Sequence, residues 1–404
     1  MLMDKSQIQE KEYQFLKGKH HAILKWATGM GKSKMAIDLI NDATFSFSEA
    51  HKAKVLLVVA ERSHMANWQE EFGKWNLALD RMDMTIICYA SLHKVRDMTF
   101  DVLVLDEAHH SFTEKRMDVL KSLKANYIYL LSATLSRQKI SAIEEIYNRF
   151  YVSTVTLKTA VDSQALPEPK VYVVELDLDD TKVDQEIRIG KGNNPVIVGW
   201  EQRFPYINYN SLKANAIIQC TQRQKYQYYV DTMEYWKCRY ERTQNPYHKN
   251  LWVNTGSMRK RFMGELKQEA VQRLLKTLSH KRYICFCASV AQAESLNKKH
   301  TISSKRNMKL NQAIIDRFNN KKINSLFAVG MATEGLNLKD IQVGVIVQLD
   351  GKERLFVQKA GRAMRAEYPV VWIFCYKNTQ DMKYFRNVVE NIEEKYIRKI
   401  DQTT

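Results

Sequence analysis

Trp26-Ala27-Thr28-Gly29-Met30-Gly31-Lys32-Ser33 lies between an apolar run, Ala22 to Trp26, and a helical repeat through Ala36, Ile37, Leu39 and Ile40. A strand that enters a glycine-containing loop and leaves it as a helix is a setting in which backbone N–H groups curl around phosphate oxygens. In that reading Thr28, Gly29, Met30 and Gly31 cradle phosphate, Lys32 reaches the β- and γ-phosphates, and the Ser33 hydroxyl ligates Mg²⁺. The pattern G-x-x-x-x-G-K-[ST] asks for glycine where this chain has Trp26. A tight glycine-rich turn is the competing reading; the order of strand, loop, Lys-Ser and helix weighs against it.

Outward from the loop the alternation continues. Val55 to Ala60, Thr85 to Ala90, Val102 to Leu105 and Tyr127 to Leu131 are strand-like, and Glu61 to Trp75 is helix-like. Strands alternating with helices predict a parallel, doubly wound sheet whose ligands gather at the strands' carboxyl ends. Asp106-Glu107-Ala108-His109 stands at such an end. There Asp106 is placed to hold a Mg²⁺-bound water and Glu107 to orient or deprotonate an attacking water. An acid-rich helix start is the blander reading. Ser132-Ala133-Thr134 follows another strand and is weak by itself. Residues 1 to 20 are expected to be helical, with Ile8, Phe15 and Leu16 as anchors; Gln7 and Gln9 read as solvated side chains rather than readers of an adenine edge.

The 404 residues, 45% hydrophobic and 26% charged, suit a globular protein of two or three domains and argue against disorder. A net charge of +17 predicts attraction to a polyanion, nucleic acid first, with a generically basic surface as the alternative. Six cysteines without a C-x-x-C pair read as reduced core residues. Cys285 and Cys287 read as alternate faces of a strand rather than a metal site. With no apolar run approaching a membrane span and no signal peptide, the expected location is cytoplasmic.

Leu166-Pro167-Glu168-Pro169 is a linker signal, Val171 to Leu178 alternates like a strand, and a boundary near residue 160 follows. Lys191 to Pro195 is turn chemistry. From Arg223 to Arg282 there are 14 Lys/Arg against 5 Asp/Glu, interleaved with Tyr226, Tyr228, Tyr229, Tyr235, Trp236, Tyr240, Tyr247 and Trp252. Arg259, Lys260 and Arg261 form a compact cationic run. Such a stretch can neutralise phosphates and stack bases, or equally pack a helical hairpin with its charges in water. Further strands are expected at Tyr283 to Cys287, Ser325 to Val329, Val343 to Leu349 and Val370 to Cys375, a second α/β sheet without its own phosphate loop. In Gln358-Lys359-Ala360-Gly361-Arg362-Ala363-Met364-Arg365, a helix would put Arg362 and Arg365 on one face, able to meet charge developing on a γ-phosphate.

Together these residues resemble superfamily 2 DEAH-box helicases and translocases. Trp26 to Ser33 looks like motif I, Glu61 to Trp68 occupies the place of motif Ia without its usual proline, and Asp106 to His109 looks like motif II. Ser132 to Thr134 looks like motif III, Tyr283 to Leu296 resembles motif IV, and Ala332 to Leu338 looks like motif V with Asn337 in place of a frequent Asp. Gln358, Gly361, Arg362 and Arg365 match motif VI. Tyr89-Ala90-Ser91-Leu92 is similar to the short Y-x-S-L element of the duplex-DNA translocase and restriction-enzyme branches. The compact size looks like a phage- or virus-type member.

The resemblance implies two RecA-like domains with parallel doubly wound sheets, residues 1–160 and 283–404. Between them, 161–282 would hold a linker, the start of the second domain and a mainly helical basic and aromatic insertion. It implies ATP and Mg²⁺ as cofactors and nucleic acid as partner, with DNA favoured and RNA possible. Lys32, Ser33, Asp106 and Gly335 would serve nucleotide and Mg²⁺, and Glu107, Gln358, Arg362 and Arg365 the hydrolysis. His109, Ser132 and Thr134 would couple the domains, while Tyr89, Ser91, Arg259, Lys260 and Arg261 are the nucleic-acid candidates. The implied activity is an ATP-driven helicase or translocase on branched or duplex DNA. Alternatives are a duplex translocase that does not separate strands, an RNA helicase, and a nucleotide-gated clamp whose output is binding.

Overall fold

The computed structural model describes residues 4–207, 214–329, 338–349, 369–389 and 393–401. Helix α1 (Lys5–Leu16) leads into six strands: β1 (His21–Trp26), β2 (Ala53–Val59), β3 (Met82–Cys88), β4 (Thr99–Leu105), β5 (Lys124–Ser132) and β6 (Tyr151–Val155). Helix α2 (Lys32–Phe45) follows β1, and α3 (Arg62–Lys74) follows β2. The sheet has the order β3-β2-β4-β5-β1-β6, and every pairing is parallel.

Apolar residues at successive strand positions explain why both faces of this sheet are covered. Leu24, Val55, Leu57, Val102 and Val104 pack on one side with α1 and α2, while Ile23, Leu56, Val58, Leu103 and Leu105 pack on the other. The expected strand set stopped at Leu131. In the structure β6 closes the sheet beside β1, its pattern too mixed between exposed and buried positions to announce a strand. Ile8 and Leu16 anchor α1 as expected, but Phe15 is exposed and meets the edge of Tyr151.

The second large sheet draws on distant parts of the chain. Its strands are β7 (Lys170–Leu176), β11 (Tyr283–Cys287), β12 (Thr301–Ser303), β13 (Ser325–Val329), β14 (Val343–Ile346), β15 (Val370–Tyr376) and β16 (Ile397–Asp401), in the order β12-β13-β11-β14-β15-β7-β16, all parallel. Cys285 and Cys287 face the same side of β11 with their sulfurs 3.8 Å apart. This corrects the alternate-face reading: positions two apart on a strand share a face. Burial pushes the Cys285 thiol up, so both are core residues.

Between β7 and β11 lies more than helix. A three-stranded sheet of β8 (Gln185–Ile189), β10 (Ala216–Cys220) and β9 (Val196–Gly199) precedes a hairpin of two long helices, Gln222–Thr243 and Pro246–Leu266. At 1.5 Å per residue each hairpin helix is about 33 Å long. Thr221 and Gln224 form a capping box at the start of the first, and Asn245 with Pro246 starts the second. At the hairpin's base Lys267 is fully buried; its Nζ donates to Gln348 Oε1, the Phe374 carbonyl and Asp381 Oδ2 at 2.8, 2.8 and 2.6 Å. The hairpin is thereby tied to β15 and to the residues that follow β14.

Candidate active site

The carboxyl ends of β1, β4 and β5 lie side by side, which brings the loop after Trp26, the acids after Leu105 and the hydroxyls at Ser132 to one edge of the first sheet. With strands 4.7–4.9 Å apart, β1 and β4 are about 10 Å apart across β5. Trp26 is the last residue of β1, paired with Val155 and fully buried. Its indole Nε1 donates to Ser153 Oγ at 2.6 Å, and that hydroxyl donates to Glu12 Oε2 at 2.6 Å. The tryptophan therefore anchors the start of the loop to β6 and α1. The positions that require glycine come later: Gly29 and Gly31 have φ of 96° and 90°, in the left-handed region.

Gly31 is the N-cap of α2 and no side chain caps it, so the first-turn N–H groups carry the helix's positive end toward the loop. Gln9 Nε2 donates to the Met30 carbonyl at 2.7 Å and packs against Gly31, where a Cβ would collide with it. This corrects the reading of Gln9 as solvated; Gln7, by contrast, completes the capping box of α1 with Asp4. Thr28, Lys32 and Ser33 are half-buried, and the Met30 side chain is fully buried. Lys32 Nζ donates to the Trp26 carbonyl at 3.0 Å, across the loop's own mouth. A cradle of left-handed glycines, a helix start and an ammonium fits a nucleotide's phosphates.

Every polar atom of Asp106 is held. Its N–H donates to the Val58 carbonyl at 2.9 Å, its carbonyl accepts the Tyr89 hydroxyl at 3.0 Å, and Oδ1 accepts the Glu107 N–H at 2.9 Å. Oδ2 accepts the indole N–H of Trp68 at 2.8 Å, with His64 Nδ1 3.9 Å away, too far for a hydrogen bond. Burial works to raise the Asp106 carboxyl, but His64, Trp68 and the charge of Lys32 outweigh it and hold it below its ordinary value. Burial lowers the His64 imidazole, and Asp106, Glu107 and Glu61 together lift it above its ordinary value. His64 and Trp68 lie in the stretch that occupies the place of motif Ia, but the motif reading singles out neither as a partner of Asp106. The one local signal is that they lie four residues apart, on one face of a helix leaving a strand's carboxyl end.

Glu107 adopts φ 46°, a left-handed conformation that costs a non-glycine residue of order 1 kcal/mol and singles out the carboxylate beside Asp106. His109 is buried with Nδ1 3.4 Å from Glu107 Oε2, and Lys139 Nζ donates to its carbonyl at 3.5 Å. Ser132 is fully buried and its Oγ accepts the Thr134 N–H at 3.3 Å, while Thr134 is half-buried. Tyr89 is 2% exposed, with its hydroxyl between Asp106 and Ser111. That corrects its assignment as a nucleic-acid contact: a buried ring cannot stack on a base. Ser91 is half-buried. Gly335, Gln358, Arg362 and Arg365 lie outside the described residues.

On the hairpin, Arg261 is exposed and Arg259 and Lys260 are half-buried. The aromatic residues largely hold the two helices together. Tyr229 packs on Phe262 with ring centres 5.7 Å apart, Trp236 stacks on His248 at 5.7 Å, and Tyr240 meets Trp252 at 6.4 Å. Tyr247, at the tip, is the exception among the aromatic residues picked out in the sequence, at 59% exposed.

Residues 3–137 match the family "Type III restriction enzyme, res subunit", and residues 266–367 match the "Helicase conserved C-terminal domain". The chain belongs to superfamily 2 of the helicases. As a superfamily 2 helicase it is an ATP-hydrolysing enzyme, and its family binds nucleic acid. No curated protein matches its sequence. Among solved structures, S. cerevisiae Dbp5 bound to Gle1 and IP6 aligns at a TM-score of 0.55 and 11% identity, covering 98% of this chain and 89% of that one. A DEAD box protein from the hyperthermophile Methanococcus jannaschii aligns at 0.45 and 13% identity, covering 97% and 92%. The two parallel sheets are RecA-like domains. Among the described residues, no helix is long and apolar enough to cross a membrane.

Proposed function

We propose that this superfamily 2 enzyme is a motor that couples ATP hydrolysis to movement on DNA. The observation that carries the reading is the Asp106–Glu107 pair, oriented at every polar atom of Asp106 and facing the charge of Lys32. Ser33 and, through a Mg²⁺-bound water, Asp106 fit as the residues that would hold Mg²⁺, which when bound neutralises phosphate charge. Lys32 leaves the Trp26 carbonyl for the β- and γ-phosphates, and the N–H groups of Gly29 to Ser33 bind the phosphate oxygens. Glu107, held in its left-handed turn, orients the attacking water and takes its proton. Gln358, Arg362 and Arg365 are assigned to the γ-phosphate from the second domain, Gly335 to the same nucleotide face, and His109, Ser132 and Thr134 to coupling between domains. Closure of the two domains completes the site and opening releases products, so that only aligned domains hydrolyse quickly.

DNA is favoured over RNA by the match to a restriction-enzyme subunit over residues 3–137 and by the DEAH residues of motif II. The cationic run Arg259 to Arg261 supplies the contact to the phosphate backbone. The deciding experiment compares steady-state ATPase activity with single-stranded DNA, duplex DNA, branched DNA and RNA. Stimulation by duplex or branched DNA is expected; stimulation by RNA alone overturns the DNA assignment, and absent turnover with every nucleic acid leaves the clamp. Strand-displacement and triplex-displacement assays on the same preparation then separate unwinding from translocation.

A further inference from the structure

Helix α3 supplies a close side-chain hydrogen bond to Asp106 Oδ2, from the indole N–H of Trp68 at 2.8 Å. The indole is 3% exposed and wedged against Phe72, ring centres 5.9 Å apart, so its direction is set by packing. One turn earlier on the same face, His64 is 8% exposed and stands 3.9 Å from that oxygen. Tyr89 and Val58 fix the backbone of Asp106, and the Glu107 N–H fixes Oδ1. The freedom left to the carboxylate is rotation about its side-chain bonds, and Trp68 restrains it. Carboxylates that bind a cation depend on such outer partners for their orientation.

We propose that Trp68 is the positioning residue of the cation site, locking the Asp106 carboxylate in the orientation that receives Mg²⁺ with the nucleotide. His64 stands beside the same oxygen, one turn earlier on α3. The inference rests on the assignment of Asp106 to Mg²⁺. It also gives α3, which begins just after β2 ends, a part in the site. Trp68 acts through Asp106, the residue its indole N–H bonds.

The test uses the full chain with Mn²⁺ as a spectroscopic stand-in for Mg²⁺ and the β,γ-imido analogue of ATP, with bound Mn²⁺ measured by electron paramagnetic resonance. Trp68→Phe removes the donor. Incorporation of 3-benzothienylalanine at the same position removes only the N–H and keeps the shape, which covers the case of a poorly folding phenylalanine variant. Both should weaken Mn²⁺ binding by about tenfold or more, with the analogue's affinity in EDTA at the wild-type value. In an Asp106→Asn background Trp68→Phe should add nothing, because the two act along one path. Wild-type Mn²⁺ affinity in the benzothienylalanine protein, with Asp106→Asn impaired, overturns the role of Trp68 and leaves the cation assignment standing. Undiminished Mn²⁺ binding by Asp106→Asn overturns that assignment and the inference with it.

Discussion

Trp26 illustrates how a residue that looks like a mismatch acquires a position. It ends β1, buries its ring and donates to Ser153, so the loop's sharp turns fall instead at Gly29 and Gly31. Gly31→Ala would place a Cβ against the Gln9 amide in a left-handed conformation, and should cost about 1–2 kcal/mol with weakened nucleotide binding. A thermal melt and a nucleotide titration check both parts; an unchanged protein would show that the loop tolerates a side chain. Glu107→Gln should keep ATP binding and lose about 10²–10⁴-fold in turnover, as expected for loss of a general base. Normal hydrolysis by that variant would remove Glu107 from the role. Lys32→Ala should lose turnover as well in a phosphate-release assay, because the ammonium assigned to the β- and γ-phosphates is then absent.

Elements matter where they carry a residue from one place to another. Lys267 sits at the joint between the second hairpin helix and Gln268–Thr277, and its ammonium is buried among Gln348, Phe374 and Asp381. Lys267→Ala leaves Asp381 without its cation in a buried site, and should lower stability by about 3–5 kcal/mol. Urea unfolding followed by circular dichroism measures the loss. A loss within a few tenths of a kcal/mol would mean that water replaces the ammonium. The hairpin itself separates the two readings of its composition: Tyr229, Trp236, Tyr240 and Trp252 pack between or beneath its helices, while Arg261 remains outside. Combined Arg259→Glu, Lys260→Glu and Arg261→Glu should weaken DNA binding and flatten its salt dependence by about one unit of slope for each phosphate that is no longer neutralised. Unchanged affinity and slope would place the DNA elsewhere.

For the whole molecule, the nucleotide site is proposed to be shared between the two RecA-like domains, with Gln358, Arg362 and Arg365 on the far side. Arg365→Ala should then bind ATP normally and fail to hydrolyse it, with or without DNA. Fluorescent-nucleotide binding beside a phosphate-release assay distinguishes this from lost binding, which would contradict the assignment. The strands of both sheets were largely legible as short apolar runs, since burial on two faces demands continuous hydrophobicity. Those missed were β6 and β16, with many exposed or half-buried positions, β12, with three residues, and the small sheet of β8, β9 and β10, with mixed burial. Each carries too little local pattern to stand out.

By itself the sequence determined the α/β class, the order of the motif-like segments and the identity of the chemical groups, because strand periodicity, turn residues and adjacent acids are local properties of the chain. Only the tertiary structure decided which groups meet. Val58, Trp68, Tyr89 and Asp106 come from four different segments, and they converge because β2 lies beside β4 while α3 packs back across the sheet. Gln9 reaches the phosphate loop, and Tyr89 turns inward to the motif II backbone. Such contacts depend on strand adjacency and helix packing, long-range consequences of burying both faces of a sheet, and no window of neighbouring residues contains them.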